Sequence, residues 1–248
     1  MGIFQNPSTT SQGKNEEFYL QLARNHIPNH AHVHKFGAVN SMSTSTTGTL
    51  WDVNDTLYPW ATWDTAGTIT LTRASASDAN KQVTVQGLDS DYNFASENIT
   101  LTAESGNAGT VSWKRVNRMF MINDGGSNIG NITAVKDGVS VARITALQGQ
   151  TLMAVYTIPA NKTGYLLKGT MSAQAGADAS GQMMVRYFGS GVFRNGHAFE
   201  VSGAGGQYIY EFPIPIAIPA KSDIDVRAVV RSNNGRYTAA FDILLIDN

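Results

Sequence analysis

Gly67-Thr68-Ile69-Thr70-Leu71-Thr72 alternates hydroxyl and apolar side chains, and Gln82-Val83-Thr84-Val85-Gln86 repeats the pattern. A strand turns successive side chains to opposite faces, so a period of two predicts β-structure with one face buried. Outward from there, residues 98–103 (NITLTA), 110–116 (TVSWKRV) and 119–122 (MFMI) read the same way. Stretches rich in Asn, Asp and Gly at 75–80, 87–93 and 104–109 supply the turns. Short strands so closely spaced predict a β-sandwich over residues 44–125. Asp124-Gly125-Gly126 then punctuates the chain and marks the expected boundary.

The second half continues with alternating or apolar runs at 130–135, 141–146, 151–158, 164–172, 182–188, 197–201, 208–218, 223–231 and 238–246. This many antiparallel strands predicts a jelly-roll-like β-sandwich over residues 126–248. Pro213, Pro215 and Pro219 cannot donate to a ladder, which places their stretch at an edge or corner. The expected fold is therefore all-β, two tandem β-sandwich domains behind an N-terminal extended arm, residues 1–43. Within the arm, residues 16–25 (EEFYLQLARN) are the one persuasive helical stretch, ended by Pro28. Such a segment is too short to be stable alone, so it is expected to dock on its own body or on a neighbour.

Composition narrows the function. Charged residues make up 15% of the 248, against roughly 25% in an ordinary globular protein. A surface so poor in charge is expected to be covered by partners. Formal net charge is -1, from 18 basic and 19 acidic side chains, which lacks the basic footprint of a nucleic-acid binder. There is no cysteine, hence no disulfide and no thiolate chemistry. No apolar run is long enough to span a bilayer, and the N-terminal sequence shows no basic-then-apolar secretion signal, so no membrane partner is expected. No nucleophile elbow, zinc-protease helix, P-loop or dinucleotide fingerprint is present, and the reading is not an enzyme, with no catalytic residue and no cofactor.

Four features invite closer reading. His30, His32 and His34 alternate, so on a strand their imidazoles share one face, and His is the commonest metal ligand. The alternatives are a polar arm hydrogen-bonding its surroundings, a lined interface, or a pH-sensitive contact; the reading adopted is no metal. Trp51, Tyr58, Trp60 and Trp63 cluster tightly. They form either a stacking platform for a sugar or the edge of the first core; no glycan site is assigned. Asp89-Ser90-Asp91-Tyr92-Asn93 opens like a calcium loop but has Phe94 where a glycine is needed, and reads as a turn. Arg186, Arg194 and Arg227 lie on or beside aromatic-rich strands and suit either buried ion pairing or ring stacking.

The segments FYLQLARNHIPNHAHVHKFGAVN, TLMAVYTIPANKTGYLLKG, VRYFGSGVFRNGHAFEV, IPAKSDIDVRAVV and FDILLIDN together resemble a family of virion structural proteins of marine and environmental tailed bacteriophages. The resemblance implies a particle component, capsid-associated as a decoration, cement or collar protein. The alternative is a tail or baseplate component with a host-facing or glycan-binding role. It implies other virion proteins as partners (major capsid, portal or tail proteins), assembly in the host bacterial cytoplasm, and a homo-oligomer, for which a trimer is the guess from jelly-roll analogy. In a trimer of the kind found in the phage fibres that the chain resembles, three histidine strands on an axis would offer six nitrogens to one metal.

Overall fold

The computed structural model describes residues 17–122, 127–202 and 206–248. It is nearly all β, with 57% strand and 6% helix. Two groups of sheets share the chain, and they are not consecutive in sequence.

The larger body has two sheets of antiparallel strands. In the first, β1 (His30–Met42) pairs with β16 (Gly235–Asp247), which pairs with β11 (Lys162–Ala173), which pairs with β14 (Gln207–Ile218). In the second, β10 (Val155–Thr157) pairs with β15 (Asp223–Ser232), then β12 (Asp178–Arg186), then β13 (Arg194–Val201). The three-residue β2 (Thr47–Thr49) pairs with β15 further along, beyond β10. Counting β1 and β10 to β16 as strands one to eight, the sheets run one-eight-three-six and two-seven-four-five. The period of two predicted for the second half is visible in β16, where Tyr237, Ala239, Phe241, Ile243 and Leu245 are all buried. They meet Met183, Val185, Ile224 and Val226 of the second sheet in one apolar core.

The remaining strands form a smaller unit inserted between β2 and β10. One of its sheets runs β6 (Asn107–Ala108), β3 (Thr70–Arg73), β8 (Ile132–Lys136), β9 (Val139–Ile144). The other runs β5 (Phe94–Thr100), β4 (Gln82–Asp89), β7 (Trp113–Ile122). Its core gathers Trp63, Trp113, Ile69, Leu71, Val83, Val85, Met119 and Ile144. The chain enters and leaves this unit at one place, where the Ala154 N–H donates to the Leu50 carbonyl (2.9 Å) and Trp51 bridges to Met153.

Two boundaries expected from the sequence therefore move. The apolar cores divide near residues 50 and 154 rather than at 125, because β8 pairs with β3 across the expected boundary. Asp124, Gly125 and Gly126, which marked it, lie outside the described residues. The second shift concerns the arm. His30–Met42 is the edge strand of the first sheet, in register with β16 from His30 opposite Ile246 to Val39 opposite Tyr237. Its inward positions Ala31 and Val33 pack against the larger core, and Val39 and Met42 belong to it. Pairing between the two ends of a chain is a long-range event that local periodicity does not report.

Other expectations meet the structure more closely. Helix α1 (Phe18–Ala23) lies within the predicted stretch, with the Glu17 carboxylate accepting from the Leu20 N–H (3.2 Å). Leu22, with Ile27, packs on Leu244 of the first sheet's outer face, so the helix docks on its own body. Residues 1–16 of the expected arm lie outside the described residues. β14 is an edge strand, and its register with β11 shifts between Leu166 and Lys168, across from Pro213 and Pro215. Asp89 makes a turn, its Oδ1 accepting from the N–H groups of Asp91 and Asn93 (2.9 Å each) with Tyr92 at φ 67°. Among the described residues no helix is long and apolar enough to cross a membrane.

Candidate functional site

The sequence Asp223-Ile224-Asp225-Val226-Arg227 on β15 alternates charge with apolar bulk. Ile224 and Val226 face the larger core, so Asp223, Asp225 and Arg227 face the other way, toward the inserted unit. There the carboxylates are enclosed: Asp223 is 3% exposed and Asp225 is fully buried. Burying a carboxylate is costly unless it is paired and hydrogen-bonded, and both are. Asp223 accepts from Arg115 of β7 (Nε, 3.0 Å), from Arg186 of β12 (2.6 Å) and from the Thr157 hydroxyl (2.5 Å). Asp225 accepts from Thr49 Oγ1 (2.8 Å), Trp60 Nε1 (2.9 Å) and Arg227 Nε (2.8 Å). Arg115 comes from the inserted unit and Asp223 from the larger body, so this pair locks one onto the other.

The aromatic cluster sits on the same junction. Trp51, Tyr58, Trp60 and Trp63 are all buried, from fully enclosed Trp63 to Trp60 at 7% exposure. Tyr58 meets Trp51 and Trp60 edge to face, at 5.1 and 4.7 Å between centroids, and its hydroxyl accepts from Trp63 Nε1 (2.7 Å). Rings so enclosed present no free face for a sugar to stack on. Arg186 lies over Trp60 (5.3 Å) and Phe193 (4.8 Å), and Arg227 over Phe193 (4.7 Å). For these two arginines both anticipated roles coincide, ion pair and ring stack; Arg194 is exposed on β13.

The alternating histidines are on a strand, as the spacing predicts, and face away from the core. His34 stands opposite Asp242 in the register and His32 opposite Leu244. His32 Nε2 (2.9 Å) and His34 Nδ1 (2.7 Å) converge on the same Asp242 oxygen. His30 turns instead to the Pro28 carbonyl (2.8 Å). The structure thus brings two of the three together and leaves the third out. Among the described residues no group of three or more His, Asp or Glu is arranged to hold a metal ion. Beside them, a groove of about 860 Å³ runs between α1 and the sheet, lined by Tyr19, Leu22, His32, Leu167, Pro215 and Asp242.

Two further features were not anticipated from the residues. At the far edge of the body, His197 and Phe199 of β13 stack on Tyr210 (4.8 Å) and Tyr208 (4.7 Å) of β14, closing the gap between the sheets with rings. On β14 itself Ile209 and Ile214 are exposed, Ile214 at 84%, and so are Phe188 and Val192 in the loop before β13. The second feature is Tyr92, whose turn brings it against Lys114 and Arg115 of β7 and Lys221 of the turn before β15. The clue to the first was the alternation of aromatics in 207–212; no local pattern announces the second.

The chain matches no family model and no curated protein. Among solved structures it is similar to the cowpea mosaic virus top component, a naturally occurring empty particle, with 8% identity over 74% of this chain and 82% of that one, at a TM-score of 0.22. It is also similar to infectious bursal disease virus, Gx strain (10% identity, 96% and 78% covered, TM-score 0.23). The VP2 subviral particle of that virus is a third (11%, 88% and 72%, 0.22). At such TM-scores none of these likenesses carries an argument, and the assignment rests on the chain's own strands.

Proposed function

We propose that this chain is a virion structural protein whose larger body is a jelly roll. One observation carries the reading: eight antiparallel strands ordered one-eight-three-six and two-seven-four-five around a single core. That is the double-sheet jelly-roll arrangement, one that recurs in viral capsids and also in lectins and cupins. Fold alone does not select among these. Two properties favour assembly over ligand turnover: the low charge of the chain, and the apolar side chains left exposed along β14 and the loop before β13. The enclosed junction residues read as structural, and the protein acts by packing, not by catalysis.

The finer reading follows the phage resemblance. The protein is a capsid-associated component, decorating, cementing or forming a collar, that self-associates and contacts the major capsid or portal proteins. The trimer remains part of this proposal. Mass spectrometry of purified particles, with cryo-electron microscopy of the same sample, tests it. Many copies arranged with the shell's symmetry are expected. A single axial ring would move the protein to the tail or baseplate, and absence from purified particles would overturn the virion reading.

A further inference from the structure

Between the inserted unit and the larger body lies a second cleft, of about 280 Å³. Its floor is the Asp223 pair with Arg115 and Arg186, and its walls carry Tyr92, Lys114, Phe188 and Lys221. Lys114 (5.8 Å), Arg115 (5.7 Å) and Lys221 (5.4 Å) all gather around the Tyr92 ring, and Lys221 also reaches Phe188 (5.2 Å). Four cationic side chains line the cleft, against the two carboxylates of Asp64 and Asp223, an excess of two positive charges. Asp223 is already spent on both arginines. Among the described residues neither lysine has a carboxylate within ion-pair distance: Lys114 donates to the Asp64 backbone carbonyl (2.7 Å), and Lys221 rests on the two rings.

We propose that this cleft binds a small divalent oxyanion of the phosphate or sulfate type. Cations collected on one ring repel one another, and in a partly enclosed site that repulsion is strong. The rings offset part of it through cation–π attraction. A doubly charged oxyanion seated between Lys114 and Lys221 would neutralise the remainder and accept charge-assisted hydrogen bonds from both ammonium groups. Burial and the Arg115 guanidinium already lower the Lys114 pKa, the direction expected of an ammonium short of negative charge. The volume lies just below the roughly 300–1,000 Å³ of drug-sized sites, which suits a compact group. Because the cleft is built from both parts of the chain, a bound anion would also fasten them together.

Inorganic phosphate is the probe. Phosphate should raise the melting temperature of the full-length protein saturably at fixed ionic strength and broaden its own ³¹P resonance. Sulfate should compete, and monovalent nitrate should not. In the double variant Lys114→Met/Lys221→Met the apparent affinity should fall by at least about tenfold, while Lys168→Met, in the separate groove beside α1, leaves it unchanged. Without phosphate the double variant should melt no lower than wild type, since two like charges are gone. If it does not fold, the ³¹P competition on wild type still decides. A linear, non-saturating response, or one that nitrate reproduces equally, would overturn the proposal.

Discussion

Replacing Lys35 by methionine should flatten the rise in the protein's stability between pH 7 and pH 9. Lys35 sits on β1 between Val33 and Gly37, at an inward position, and is 8% exposed. Its ammonium donates to the Asn117 carbonyl of β7 (2.5 Å), and burial together with the Arg118 guanidinium lowers its pKa from 10.5 to about 7. Between those two values the unfolded chain holds a proton that the folded chain has lost. Unfolding free energy therefore rises with pH across that window, at about 1.4 kcal/mol per unit. Over two units, from roughly pH 7 to pH 9, this one group contributes on the order of 2–3 kcal/mol. Methionine is of similar length and apolar, so it keeps the site filled without a proton to lose.

The assay is urea unfolding of wild type and Lys35→Met at both pH values. Every other titrating group contributes equally to the two proteins, so the quantity that matters is the difference between their pH dependences. Wild type should gain those 2–3 kcal/mol relative to the variant, and the variant should be the more stable of the two at neutral pH. Any packing loss caused by methionine is the same at both pH values and cancels. Parallel pH profiles would refute the argument, because they would mean that Lys35 keeps an ordinary pKa and is not enclosed between the two parts of the chain.

Three other perturbations have defined outcomes. Asp52 has its pKa raised to about 6, mainly by burial, and one carboxylate oxygen has no hydrogen-bond partner among the described residues. The folded chain thus holds the extra proton between pH 3.8 and about 6 and loses stability as pH rises through that range. Asp52→Asn, which can still accept from Thr145 (3.0 Å), should stabilise by about 2–3 kcal/mol at pH 7 in denaturant titration, with the gain fading below pH 4. Gly37→Ala would place a Cβ 2.0 Å from the Leu50 carbonyl and 2.3 Å from the Ala154 amide. It should cost at least about 2 kcal/mol, seen as a lowered melting temperature, because the atoms it meets are the backbone hydrogen bond that closes the insertion. Removing residues 1–43 should abolish cooperative unfolding and near-ultraviolet circular dichroism, since it strips β1 from β16 and takes Val39 and Met42 from the core; a truncated protein that still melts cooperatively would contradict the strand assignment.

The sequence by itself determined the all-β character and most of the strands. Side-chain alternation is a local property, and β11, β12, β15 and β16 fall where the period of two places them. Pro213 and Pro215 marked an edge because a missing N–H is a property of the residue, whatever surrounds it. The histidine spacing likewise set His32 and His34 on one face.

Only the tertiary structure decided which strands belong together. The two ends of the chain pair as β1 and β16, and the inserted unit interrupts the larger body between its first and second strands. That choice is made by which apolar faces can be buried at once, and no window of the sequence contains it. The same holds for the polar residues. Asp223 and Asp225 look like surface charges on an amphipathic strand until a second unit covers that face and supplies Arg115 and Trp60. The cations around Tyr92 come from segments far apart in sequence, so their convergence is a product of the fold. Residue type fixes what a side chain can do, and tertiary packing fixes what it meets.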